Sequence, residues 1–219
     1  MKKIIVLVEG QTEERFVKEL LVPNFREKGI YFAPTINTTK RVKDKANFKG
    51  GIKSYEKVKS NLLKLFYDTS ADIITTMIDY YKLPTDFPGY DKRPPGNFYT
   101  AVSYLEDKFK EDINEDRFIP YLQVHEFEAY LFSSLEGFNK VFFDRNTQLE
   151  SIKNIINQFN NPEAINDGDE TAPSKRLMNI FKGYKKTTDG ISIAKYLGLE
   201  KIRKSCNHFN NWLKTMESI

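Results

Sequence analysis

The sequence is poor in residues that build covalent or metal-bound staples. Its 219 residues include one cysteine, Cys206, which excludes an intramolecular disulfide and any multi-cysteine zinc site. Long apolar runs are lacking as well. There is no secretory h-region and no span of membrane length, so a cytoplasmic protein is expected. Met1-Lys2-Lys3 and the apolar run behind them superficially resemble a signal peptide, but the run is too short and Glu9 ends it. Internal repeats and low-complexity tracts are missing too.

What is present describes an ordinary globular chain, with 40% hydrophobic and 29% charged residues. A chain of this length buries a real core without staples. The net charge of +4 is compatible with a nucleic-acid partner and equally with a mildly basic protein that has none. Seventeen Phe and twelve Tyr favour packing and offer contact with bases or sugars.

Residues 3–8 are β-branched or leucine with little alternation, as in a strand buried on both faces of a parallel sheet. Thr12 is placed to cap a helix carrying Phe16, Leu20 and Leu21, with Pro23 in its later part and Gly29 at its stop. Tyr31–Thr39 reads as a second strand, pushed to a sheet edge by Pro34. Residues 40–51 read as an exposed basic loop, and Tyr55, Val58, Leu62, Leu65 and Phe66 trace a helical face. Asp72–Ile78 is a third strand that stops at Asp79, before a proline- and glycine-rich loop over 80–96. Phe98, Val102, Leu105 and Phe109 mark a helix, and Phe118–Val124 a fourth strand, again at an edge because of Pro120.

The alternation β-α-β-α-β-α-β predicts an α/β fold with a four-stranded parallel sheet and right-handed crossovers over residues 1–133. Strand signals then vanish, and residues 134–219 read as a helical C-terminal subdomain with three apolar faces: 149–159, 177–181 and 199–216. Cys206, His208, Phe209 and Trp212 lie on or beside the last face and read as core or helix-end residues.

In an open parallel sheet, ligands bind outside the carboxyl ends of the strands, where the strand order reverses. Glu9 ends the first strand and Asp79 the third. If those strands are neighbours, two carboxylates meet in one crevice and repel unless a proton or cation lies between them. Hard divalent cations suit such oxygens, Mg²⁺ above all. Glu13 follows Glu9 at a spacing of four with Gly10 between, and also suits the first turn of a helix simply as an acid. A third group, His125, Glu126 and Glu128, follows the fourth strand at the same end of the sheet. As a strand, His125 and Phe127 would share one face and Glu126 and Glu128 the other; as a helix start, that alternation fails.

VEGQTEE (8–14), MIDYYKLPTDFPG (77–89), YLQVHEFEAYLF (121–132) and APSKRL (172–177) together resemble the bacterial domain-of-unknown-function family 4276, a Toprim-like family, over nearly the whole chain. The strings HEFEA and DYY-x-LP-x-DFPG are specific; a bare EG-x-TE is not. Toprim domains of topoisomerases, primases and overcoming-lysogenization-defect type nucleases carry a glutamate after the first strand and an Asp-x-Asp pair after the third. These groups bind Mg²⁺ and support phosphodiester chemistry. By that resemblance Glu9 matches the glutamate and Asp79 the first aspartate, while Tyr81 stands where the second aspartate would be. Glu126, Glu128 or Asp86 then replaces the missing ligand, or one metal binds, or catalysis has been lost.

The resemblance implies a nuclease using Mg²⁺ or Mn²⁺, with Glu9, Glu13, Asp79, Glu126 and Glu128 as metal ligands. Catalysis falls to Glu9, Asp79, Glu126 and Glu128, with His125 as acid, base or orienter. Lys40, Arg41, Lys43, Lys45, Lys175 and Arg176, with Lys185 and Arg203, are candidates for holding a DNA or RNA backbone. The resemblance also implies an anti-phage defence setting beside an AAA- or ABC-type ATPase. The alternative is a non-catalytic binding or regulatory subunit of such an ATPase complex. A nucleotide-binding domain is disfavoured, because no G-x-G-x-x-G or phosphate-loop lysine follows any strand.

Overall fold

A computed structural model describes residues 1–37, 52–81, 83–159, 161–165, 168 and 171–219. The basic segment with Lys40, Arg41, Lys43 and Lys45 lies outside the described residues.

The chain opens with β1 (Lys2–Val8), then a helical run of α1 (Gln11–Phe16), a π-helical turn (Val17–Leu21) and α2 (Val22–Arg26). Pro23 explains the interruption: its missing N–H and its ring disrupt the bond to the carbonyl four residues back, and the wider turn just upstream absorbs the misfit. Strand β2 (Ile30–Ile36) and α3 (Tyr55–Leu65) follow, then β3 (Ile73–Asp79) and α4 (Phe98–Ile113). Next come two short strands, β4 (Phe118–Ile119) and β5 (Leu122–Gln123), and a 3₁₀ helix (Phe127–Ser133). The remainder is helical: α5 (Leu135–Val141), α6 (Asn146–Gln158), α7 (Pro173–Ile180), α8 (Ile191–Leu197), α9 (Leu199–Ser205) and α10 (Asn207–Ser218). Among the described residues no helix is long and apolar enough to cross a membrane.

All strand pairs are parallel, in the order β2-β1-β3-β4, with β5 also on β3. The α/β class, the parallel sheet and the helical C-terminal region are as expected, and Pro34 and Pro120 lie on the edge strands or beside them. Three local expectations change. The helix after β1 starts two residues early, with Gly10 rather than Thr12 at its cap and Thr12 buried in its first turn. The fourth strand is split, because Pro120 has no N–H for the ladder. There the Thr76 hydroxyl serves as substitute, donating to the Tyr121 carbonyl at 2.9 Å and accepting from the Tyr121 N–H at 3.0 Å. The last apolar face is two helices broken at Cys206, whose extended backbone frees the first N–H groups of α10. Glu163 takes two of them, from His208 and Phe209, at 3.0 Å each.

The sheet is a middle layer. Ile5 and Leu7 of β1 face a core built with α3 and α4, while Ile4, Val6 and Val8 face one that continues through the helices beyond residue 133. Both faces of β1 are covered, which is why its sequence is a continuous apolar run. Trp212 of α10 reaches the sheet, its Nε1–H donating to Thr75 Oγ1 at 3.0 Å. An indole buried this deeply needs such a partner.

Candidate functional site: an acidic crevice at the strand ends

In the order β2-β1-β3-β4 the chain leaves β1 towards β2 on one side and returns to β3 on the other. The crevice at the carboxyl ends of β1 and β3 is therefore the topological switch point. The register pairs Val8 with Met77, so Glu9 and Asp79 emerge side by side. Glu9 Oε2 accepts a hydrogen bond from the Asp79 N–H at 3.3 Å. Glu13 closes the turn between strand and helix, accepting from the Gly10 N–H at 2.9 Å. It is thus a helix-capping acid and a buried one at once.

Glu126 and Glu128 reach the same crevice from the end of β5. Here the chain does not continue as a strand. His125 takes a left-handed conformation at φ 64°, and the 3₁₀ helix begins at Phe127. Glu126 Oε2 accepts from the Ser174 N–H at the start of α7, at 3.0 Å. Glu128 is fully buried and pairs with Lys186, whose Nζ lies 3.0 Å from its carboxylate.

The electrostatics follow from this crowding. Burial, then the charge of Glu13, lifts the Glu9 carboxyl to about 7, against a hydrogen bond from Asp79 and the charge of Lys186. Burial, then Glu9 and Glu13, holds the Asp79 carboxyl well above the usual carboxylate range. Burial raises Glu13 also, and lifts Glu128 to about 7 although Lys186 opposes it. Lys186 acts on Glu9, Glu13, Asp79 and Glu128 and is itself raised by Glu128, Glu126 and Asp79, against a burial cost that opposes its charge. Five acids thus surround one lysine.

Sequence reading missed Lys186, and no periodicity marks it. It is delivered by a π-helical turn, Lys186–Gly190, that packs against the start of the chain. Arg15 of α1 donates to the Thr187 carbonyl. Gly190 lets the turn approach closely, since a Cβ there would lie 2.6 Å from the Tyr184 hydroxyl and 3.3 Å from the Phe127 ring. The weak available signal was Lys185-Lys186 ahead of Thr-Thr-Asp-Gly.

Other candidates are placed differently. His125 is 2% exposed with its ring 5.5 Å from that of Phe98, and its carbonyl accepts from the Tyr81 N–H at 3.3 Å. Asp86 turns both oxygens to the Tyr55 N–H, at 3.0 Å each, at the start of α3. Lys175 is exposed, next to the Ser174 that holds Glu126. Arg176 spends its Nε–H on the Thr171 carbonyl at 2.7 Å and stacks near Phe159.

Among the described residues no group of three or more His, Cys, Asp or Glu side chains is arranged to hold a metal ion. The donor set is nevertheless of the right kind for a hard divalent cation. It is all carboxylate oxygen, and Asp79 Oδ1 is buried with no hydrogen-bond partner among the described residues.

The fold and the crevice define an α/β protein with an acidic site at a parallel-sheet switch point. The family described as Domain of unknown function (DUF4276) matches residues 8–217, and the chain belongs to it. No curated protein and no solved structure matches the chain.

Proposed function

We propose that the chain is a Mg²⁺- or Mn²⁺-dependent nuclease of Toprim-like type that hydrolyses phosphodiester bonds of DNA or RNA. The observation that carries the reading is the meeting of Glu9 and Asp79 at the switch point, with Asp79 Oδ1 buried and unpartnered among the described residues. Carboxylates so crowded that burial and mutual repulsion raise their pKa values call for a cation.

In this reading Glu9 and Asp79 hold the ion, with Glu13, Glu126 and Glu128 as further donors. The bound ion would polarise the phosphate and lower the pKa of an attacking water. Glu9 is oriented by the Asp79 N–H and Glu126 by the Ser174 N–H, so both carboxylates are aimed before a ligand arrives. His125, almost wholly buried, is proposed as acid, base or orienting group. Lys175, exposed beside the Ser174 that anchors Glu126, is proposed to contact a nucleic-acid backbone. Lys40, Arg41, Lys43 and Lys45 are proposed to add to it. The setting is a cytoplasmic anti-phage system with an ATPase partner.

A non-catalytic subunit of an ATPase complex is the second reading, and the Lys186–Glu128 pair favours it: a charge cluster kept for structure needs an internal cation. The test is cleavage of plasmid, single-stranded DNA and tRNA with Mg²⁺ or Mn²⁺. Wild type should cut at least one substrate, and Glu9→Gln and Asp79→Asn should not while remaining folded. Absence of cleavage by wild type, alone and with an ATPase partner added, would overturn the nuclease reading.

A further inference from the structure

The chain that leaves Asp79 builds a second feature beside the acidic crevice. Tyr80 is anchored at once, its N–H donating to the Gln123 carbonyl at 2.8 Å. A cleft of about 500 Å³ then opens between Tyr80, the 90–97 segment and the start of α4, lined by Tyr80, Tyr90, Asp91, Arg93, Asn97 and Phe98. The Arg93 guanidinium carbon lies 3.8 Å from the centre of the Tyr90 ring, which is van der Waals contact, and its Nη1–H donates to the Tyr90 carbonyl at 2.6 Å. One planar cation is thus fixed on one aromatic ring. An adjoining cleft shares Tyr90 and Asp91 and adds Lys92, Tyr104 and Lys108.

The segment that carries Tyr90 and Arg93 is packed closely on α4. Gly89 has φ 79°, and a Cβ there would meet the Lys108 and Tyr104 side chains at 2.9 Å, so the segment is seated directly on α4. A preorganised surface of planar groups loses little entropy on binding a planar ligand.

We propose that this cleft is a stacking subsite for unpaired nucleobases of single-stranded nucleic acid, next to the carboxylate site. Aromatic and guanidinium planes stack bases of any sequence. Asp91 disfavours phosphate in the same cleft and can accept from an exocyclic amine, so the bases enter and the backbone stays outside. The subsite deepens the nuclease reading and rests on it for its substrate, but it predicts binding that needs no metal and no cleavage.

The experiment is fluorescence anisotropy in EDTA with labelled single strands of about 12 nucleotides, within the site sizes such grooves span, as DNA and as RNA, and with the DNA duplex. Both single strands, or one of them, should bind more tightly than duplex. Tyr90→Ala and Arg93→Ala should each weaken single-strand binding by about tenfold. Arg93→Lys, which keeps charge and loses the plane, should weaken it too. Tyr90→Leu serves if the alanine variant does not fold. Absence of single-strand binding by wild type, or wild-type affinity in both Arg93→Lys and Tyr90→Leu, would overturn the subsite. The nuclease reading fails separately, on cleavage with Mg²⁺ or Mn²⁺.

Discussion

Lys186 Nζ stands 3.0 Å from the carboxylate of Glu128, a side chain with no solvent exposure, while the lysine side chain keeps 42% of its own. One end of the pair is dry and the other half wet. Lys186→Met should therefore destabilise the protein by about 1–3 kcal/mol, below the cost of breaking a fully buried pair because solvent reaches the lysine. Adding Glu128→Gln should recover much of the loss, since no buried charge is then left alone. Urea unfolding followed by Trp212, the single tryptophan, reads both variants. A double variant less stable than Lys186→Met would contradict the pairing.

The crevice should make stability depend on pH. Glu9 and Glu128 ionise near pH 4.5 when unfolded and near 7 when folded, and Asp79 is raised as well. The folded state then binds more protons than the unfolded state between those values, so stability falls as pH rises from about 4.5 to about 7. Asp68 and Glu217, both lowered to about 2, act below that window with the opposite slope. Melting in EDTA across this range should show the decline; a flat or rising profile would contradict it.

Neutral isosteres test the same repulsion from the other side. Glu9→Gln and Asp79→Asn should raise the melting temperature in EDTA at pH 8 and abolish any rise on adding Mg²⁺ or Mn²⁺. An active site commonly trades stability for function in this way. Unchanged or lower melting temperatures for both variants would mean that the carboxylates are not in conflict.

His208 Nε2 lies 3.0 Å from Glu106 Oε1, with both side chains largely buried. Burial lowers the imidazole pKa, but the bond and charge of Glu106, with Glu163 behind it, leave it raised. The contribution is therefore complete below the unfolded value of 6.5 and is lost as pH rises through the folded one. In NMR titration Glu106→Gln should move the His208 midpoint down. A midpoint that stays put would remove Glu106 as the cause.

Gly190 and the Tyr184 hydroxyl are a tight fit. Gly190→Ala should cost about 1–3 kcal/mol by overpacking. Tyr184→Phe should be close to neutral alone, because the hydroxyl is buried without a partner among the described residues. In combination it should relieve the alanine, as a double-mutant cycle in urea would show. Simple additivity would place the clash elsewhere.

Much of the fold was legible because local pattern and global role agree. The apolar run before Glu9 is buried on both faces, and Pro34 and Pro120 lie where a missing N–H does least harm. Helices α5 and α8 were not legible, being only seven residues each. The break at Cys206 was hidden because one apolar stripe spans α9 and α10, and the Glu163 that accepts from the start of α10 is distant in sequence.

The sequence by itself determined that acids end the first and third strands and follow the fourth, since an apolar run must stop where the chain leaves the sheet. Tertiary structure alone decided that β1 and β3 are neighbours, that Glu126 is held by α7, and that Lys186 is the cation among the acids. Those relations join residues far apart in the chain. The first is set by the parallel pairing of β1 with β3 and the other two by the packing of the C-terminal segments on the sheet, and no local pattern of residues encodes either.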